Sequence, residues 1–444
     1  MNDTVRSSWL SVCCTLGVFA LGVFAFGARA HAAFVVQITR GQDVAIPIAI
    51  VPFAANAGAP AFDVAAVVSH DLGGSGRFKS MHRKDMIDQP HTGSQVVFDD
   101  WRRLNVDYIV VGSLSRPAPG RVDVSFELYN VLTQQRLLGY QIHTDDAGLR
   151  LAAHQISDQV FQSILGIRGA FATRIAYVLV LGKIPHQTFQ LVVADADGEN
   201  PHVVMQSSEP LMSPAWSPDG QRLAYVSFED TLPSIYVQTL KTGARQVVSA
   251  TAGVNQAPAW SPHGRRLAVT LSNRSGNLDV FVLDLATHAL TRITHNPGID
   301  TEAQWAPDGQ SLYFTSDRDG GPQIFQVSLA PGSRPRRITC QGSYNARPRL
   351  SPDGSHLAFV TRVHGDFRIA TLDLKGNGGM RVLTHGVFDE SPSYAPNGAE
   401  IIYATHQRGR GVLALVSTDG RVQQTLVSPE GDVEEPVWGP YGSE

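Results

Sequence analysis

Carboxylates recur along the second half of this 444-residue chain at a spacing that could serve chemistry. Asp219, Asp308 and Asp353 each stand in one local setting: Trp or Leu, then Ser or Ala, Pro, Asp and Gly. Carboxylates repeated in this way could hold a cation or act as general acids and bases. In three further copies of the setting, however, His263, Asn397 and Tyr441 take the place of the Asp. A ligand or catalytic role would not survive such replacements, so the carboxylate reads as a turn residue. Other catalytic signatures are missing from the sequence. It has no Gly-x-Ser-x-Gly elbow, no His-Glu-x-x-His pair and no Walker loop. Leu72-Gly-Gly-Ser-Gly76 reads as a glycine-rich turn without the flanking strand and helix of a nucleotide fingerprint. Fifteen histidines are scattered, and His82 and His91 fall on expected loops rather than in ligand pairs. Once Cys13 and Cys14 leave with the leader described below, Cys340 stands alone. No intramolecular disulfide or cysteine zinc site is then expected, and Cys340 reads as a small buried hydrophobe. No catalytic residue, metal or cofactor is expected.

The elements around these residues are set by an internal repeat. Its copies are Trp216-Ser-Pro-Asp-Gly220, Trp260-Ser-Pro-His-Gly264, Trp305-Ala-Pro-Asp-Gly309, Leu350-Ser-Pro-Asp-Gly354, Tyr394-Ala-Pro-Asn-Gly398 and Trp438-Gly-Pro-Tyr-Gly442, spaced 44, 45, 45, 44 and 44 residues apart. Pro fixes φ at the second position of a type I turn and Gly suits the fourth. Apolar strands follow each of the first five turns, such as Arg222–Ser227, Ile235–Leu240 and Arg245–Ser249. Four short strands per copy make a blade of an all-β six-bladed propeller. The chain stops just after the sixth motif, while three strands near 174–181, 189–194 and 203–206 precede the first. The last strand should therefore close the ring with those three, leaving no open edge at the seam. The aromatic residues are expected to pack between blades. An enzyme or metal-dependent sugar binder using the central tunnel is the alternative reading, since either would place carboxylates or metal ligands at the tunnel mouth.

Ahead of the repeat, residues 1–33 read as a cleaved secretory leader. Arg6 supplies a positive start, Leu10–Phe26 is uncharged and apolar, and Ala30-His31-Ala32 offers a cleavage site after Ala32 or Ala33. The apolar run is shorter than the roughly 20 residues a spanning helix needs. Residues 34–168 lack the repeat and read as an α/β domain, and residues 169–444 as the propeller. Within the first, Ile46–Pro52 is an expected buried strand, Asp63–Ser69 and Val96–Leu104 expected helices, Val122–Tyr129 with Leu137–His143 a hairpin, and Leu149–Leu165 a helix. A formal net charge of −4 gives no electrostatic reason to expect nucleic acid.

The residues just before each inner strand vary most: Leu211–Ser213, Asn255–Ala257, Asp300–Glu302, Asn345–Arg347, Asp389–Ser391 and Val433–Glu435. They enter the propeller at one mouth, are net acidic apart from Arg347, and are the expected binding surface.

The order of leader, α/β domain and propeller, with the stretches Ala257-Pro-Ala-Trp-Ser-Pro262, Asp389-Glu-Ser-Pro-Ser-Tyr-Ala-Pro-Asn-Gly398 and Leu415-Val-Ser-Thr-Asp-Gly-Arg421, closely resembles the TolB family of the Tol-Pal envelope system. The resemblance spans essentially the whole mature chain. It implies a non-catalytic periplasmic protein linking inner-membrane TolA to the outer-membrane lipoprotein Pal, in envelope maintenance and in outer-membrane constriction during division. It implies Pal at the propeller mouth, on Asn255, Ala257, Thr301, Glu302 and Glu390. It implies TolA on the mature N-terminal tail, Phe34, Val35, Val36, Gln37, Ile38, Thr39 and Arg40. Other envelope lipoproteins and colicins are further implied partners. In relatives, order in this tail is coupled to Pal occupancy. One departure stands out: Val254 replaces the family's usual His upstream of Asn-x-Ala. Read from its residues alone, the tail alternates enough to add to a partner's sheet edge, or to form the first strand of the α/β domain.

Overall fold

The structure is a computed structural model that describes residues 35–40, 45–56, 58–230, 232–272, 275–376, 378–427 and 430–442. The expected leader and Phe34 lie outside the described residues.

Ile46–Ile50 is apolar at both parities, so each of its faces needs a cover. It pairs in parallel with Phe78–Ser80 on one side and Tyr108–Ala118 on the other. Arg121–Asn130 and Arg136–Thr144 extend the sheet antiparallel, as the expected hairpin. Helices α1 (Val64–Gly74) and α3 (Leu149–Leu165) cover one face, where Ile48, Ile50 and Val110 meet Val68, Leu72, Ile156 and Val160. The short α2 (Phe98–Arg103) covers the other, with Trp101 against Ala49, Val51, Ile109 and Val111. Each side chain buried in this way is worth about 1.5–3 kcal/mol. Asp63 caps α1, its carboxylate accepting the Ala66 N–H at 2.9 Å. The glycine-rich stretch is not a free turn. Gly73 and Gly74 belong to the last turn of α1, and the chain leaves it through Gly76 at φ +64°.

Six sheets follow the repeat. Blades 1 to 5 begin with the inner strands Leu211–Trp216, Asn255–Trp260, Asp300–Trp305, Asn345–Leu350 and Glu390–Tyr394. Blade 6 is composite, as expected. Its inner strand, Asp432–Trp438, pairs with Arg174–Leu181, followed by Thr188–Asp195 and His202–Ser207. In the Pro turns the Gly220 N–H donates to the Ser217 carbonyl at 2.9 Å, and Gly264, Gly309, Gly354 and Gly398 repeat this geometry at φ +66 to +70°. The Trp side chains are buried, and Trp216, Trp260 and Trp305 tie their inner strands to the previous one. Trp260 Nε1 donates to Ala215 O at 3.1 Å and Trp305 Nε1 to Ala259 O at 3.0 Å. An Arg at the start of the second strand then stacks on the next blade's Trp: Arg174 on Trp216, Arg222 on Trp260 and Arg266 on Trp305, at 4.6–5.0 Å.

The α/β domain contacts the face bearing the Pro turns of blades 5 and 6. Arg77 pairs with Asp419 at 3.0 Å, and Asn397 Nδ2 donates to Arg168 O at 3.0 Å. From α3, Arg150 binds Asp195 at 2.8 Å and also Asp197. His154 Nδ1 lies 2.8 Å from Asp71, and its Nε2 is 3.8 Å from Asp195. Burial opposes a charge on His154, but Asp195 and Asp71 outweigh it and hold the imidazole protonated, with a pKa of about 10. Cys340 does not fit its expectation. It is exposed, because it follows the two-residue outer strand Arg336–Arg337 and belongs to a loop rather than to a strand interior.

Candidate functional site

Each inner strand carries a kink near its start. Ser213, Ala257, Glu302, Arg347, Ser391 and Glu435 all adopt φ between +48 and +56°, and the strand register shifts around each. Non-glycine residues in this region cost of order 1–3 kcal/mol each, and they persist only where the surroundings fix them. The six line one end of a central channel of about 630 Å³.

Arg347 organises this throat. Its Nε lies 2.9 Å from Glu302 Oε1, and its terminal nitrogens lie 3.6 Å from Glu390 and 3.7 Å from Glu435. It also donates to Ser391 Oγ, while Glu435 accepts the Ser213 N–H. Burial disfavours the guanidinium charge, but Glu302, Glu435 and Glu390 more than offset it and hold it above its ordinary range. Burial pushes the Glu435 carboxyl up, against the pull of Arg347. The acidic ring with one basic exception is thus a bonded network, a role the sequence reading did not assign to Arg347.

The residues expected to meet Pal divide into two groups. Ala257, Thr301, Glu302 and Glu390 are part-exposed, Ala257 and Glu302 on the channel wall and Glu390 beside Arg347. Thr301 Oγ1 accepts from Gln256 Nε2 at 3.3 Å, which links blades 2 and 3. Asn255 departs from the expectation because it is fully buried. Its side chain accepts from Ser249 and Thr251 at 2.7–3.1 Å and donates to Thr251 O at 2.7 Å, bracing the loop behind the mouth. Asp300, Asn345 and Asp389 are buried at the equivalent places. Asp300 grips Arg318 at 2.8 and 2.9 Å, and Asp389 accepts from Thr405 at 2.6 Å. The signal for this brace was legible as Asn or Asp at spacings of 45, 45 and 44 inside segments that otherwise diverge.

Sequence reasoning also missed an apolar rim. The loops joining second to third strands return to the same face as the mouth. On that face Ile184, Met212, Leu232, Ile299, Val387 and Phe388 are exposed, Ile184 by 83 % and Val387 by 73 %. Tyr344, Phe367, Phe388 and His406 form a ladder of edge-to-face rings with centroids 5.2–5.6 Å apart. Apolar side chains around a charged throat, on the face away from the α/β domain, make a surface suited to docking a protein.

The tail is not the first strand of the α/β domain. Val35–Arg40 is the fifth strand of blade 5, antiparallel to Gln423–Val427, with Val35 opposite Val427 and Ile38 opposite Gln424. Its backbone covers a sheet edge of this same chain.

One cluster has metal-site geometry among the described residues: Asp71, His154 and Asp197 offer ligand atoms within 4.8 Å of one another. Protonated His154 and Arg150 already supply its cations, so it is built as an ion-pair latch between domains.

Two families match the chain. The TolB amino-terminal domain covers residues 34–137, and the TolB beta propeller domain covers residues 161–442. The Tol-Pal system protein TolB of Nitrosococcus oceani is 51% identical over 96% of this chain and 98% of its own. That of Thioalkalivibrio sulfidiphilus is 54% identical over 93% of this chain and 95% of its own. The crystal structure of TolB from Acinetobacter baumannii, 40% identical, superposes over 92% of this chain and all of its own with a TM-score of 0.85. With both domains matched and near-full-length relatives more than half identical, the chain belongs to the TolB family and is a Tol-Pal system component.

Proposed function

We propose that this protein works in the periplasm as an adaptor, docking the outer-membrane lipoprotein Pal at the propeller mouth and TolA through its N-terminal strand, in envelope maintenance and outer-membrane constriction at division. The observation that carries the reading is the exposed apolar rim around the Arg347 throat, on the face opposite the α/β domain. Ala257, Thr301, Glu302 and Glu390 lie within that surface, and Asn255 acts behind it. The proposed organisation is a leader over 1–33, an α/β domain over 34–168 and a propeller over 169–444. No helix of the described residues is long and apolar enough to cross a membrane.

The tail supports the TolA half through its backbone. A strand that adds to a sheet edge in this chain has the hydrogen-bonding capacity to add to a partner's edge, but not to both through one edge at once. Calorimetry of the exported chain with the soluble domain of Pal tests the mouth. Glu302→Lys is expected to weaken binding about tenfold or more, as truncating an interface anchor does; unchanged affinity in a folded variant would sink the assignment. Removing Phe34–Arg40 is expected to abolish TolA capture and spare Pal capture. Loss of both would argue against two separate sites.

A further inference from the structure

Two residues beyond the kinked ring, the inner strands place Ala215, Ala259, Gln304, Arg349, Ser393 and Val437 along the channel. Arg349 is the one charged side chain of this tier. It is half-buried, and among the described residues its side chain makes one hydrogen bond, from a terminal nitrogen to the neighbouring Pro348 carbonyl at 2.9 Å. Burial pulls its guanidinium below the ordinary range, even with Glu302 and Glu435 acting to raise it. Glu302 is already committed to Arg347, so the charge on Arg349 is under-compensated.

The same place is where the repeat loses its Trp twice in succession, at Leu350 and Tyr394. Trp260 and Trp305 spend their N–H on the preceding inner strand. Tyr394 takes the equivalent position in the repeat and packs between blades 4 and 5, against Ala358, Val360 and Ile401. Its hydroxyl is buried with no hydrogen-bond partner among the described residues, and the residue, 8 % exposed, is part of the channel lining. A guanidinium fork and a phenol, both short of acceptors, are the donors that recognise a carboxylate.

We propose that the channel wall between blades 4 and 5 is a binding site for a small organic carboxylate, held by the Arg349 fork and the Tyr394 hydroxyl. The ligand enters from the α/β-domain side. At the other end the three carboxylates of Glu302, Glu390 and Glu435 outnumber the guanidinium of Arg347 that they share, so that end repels an incoming anion. Tyr441 lines both the channel and a groove beside α3 that includes Gln155, Gln159 and Arg168, so the two spaces adjoin. A partner seated on the mouth therefore leaves this site open.

Fluorine NMR of trifluoroacetate with the purified full chain tests the site, with neutral trifluoroethanol as control. The expected result is a saturable shift for trifluoroacetate alone, competed by acetate. Arg349→Met should abolish it, and Tyr394→Phe should weaken it about tenfold, the loss of one hydrogen bond to a charged group. Acetate should also raise the melting temperature of the parent but not of Arg349→Met. Matching responses to the acid and the alcohol, or a response retained in Arg349→Met, would overturn the proposal. Tyr394→Phe removes a single hydroxyl from an already apolar contact and folds as the parent does; undiminished binding by that variant overturns it as well.

Discussion

Arg347 and Glu302 form an ion pair across two neighbouring blades, Nε to Oε1 at 2.9 Å, with both residues in the left-handed region of backbone space. Glu390 and Glu435 stand 3.6 and 3.7 Å from the same guanidinium, so one cation joins blades 3, 4, 5 and 6 at the channel throat.

That arrangement predicts unequal costs. Arg347→Met leaves three carboxylates facing one another, whereas Glu302→Gln leaves Arg347 with two. These side chains are about a quarter exposed, which discounts the penalty for a fully buried pair to about 1–3 kcal/mol for Arg347→Met and less for Glu302→Gln. Denaturant unfolding measures both. Equal costs would mean that Arg347 is not the hub.

The rim residues should behave oppositely. Val387→Asp and Leu232→Asp replace exposed side chains, so stability should change by no more than about 0.5 kcal/mol. Affinity for Pal should nevertheless fall at least tenfold, read by calorimetry, because a charge desolvated at an apolar contact has no partner. Unaltered affinity in both variants would remove the rim from the docking surface.

The tail strand is held through its backbone. A chain beginning after Arg40 should exchange the alternate amide hydrogens of Gln423–Val427 that point toward the tail faster than the parent, while the amides of Arg410–Ser417, covered on both sides, stay protected. Adding TolA to the parent should speed the same alternate amides if TolA withdraws the strand. Protection that persists with TolA bound would show that the partner uses some other segment.

The inter-domain latch predicts a pH dependence with a definite sign. His154 ionises at about 10 in the folded chain against 6.5 when free. Its contribution is complete below pH 6.5 and is lost as the pH rises through 10. Asp71, Asp195, Asp197, Arg150 and, one turn along α3, Asp158 are the charged groups facing it, and burial raises the Asp158 carboxyl to about 6, below this window. Stability should decline between pH 7 and 10, and His154→Gln should flatten that decline. The variant should also lose about 3–5 kcal/mol at pH 7, the usual cost of stranding a buried charge, here on Asp71. A parent stability level across this window would refute the latch.

The sequence by itself determined the ring. A turn of Pro and Gly is a local matter of φ and ψ, and a Trp placed 44 or 45 residues from the next writes blade packing into the chain without reference to distant residues. Strand count, composite closure and Leu149–Leu165 were legible for that reason. The mouth was only half legible. Its variability marked the surface, but Asn255 could be told from Ala257 only once burial was known, since a side chain two residues away along a kinked strand faces another way. The Arg347 hub draws on Glu302, Glu390 and Glu435, which are 45, 43 and 88 positions distant and meet only when the ring closes. The tail was least legible. Alternation shows that a segment can be a strand, but which edge it covers depends on where folding leaves an unpaired edge, and here that edge lies nearly 400 residues along the same chain.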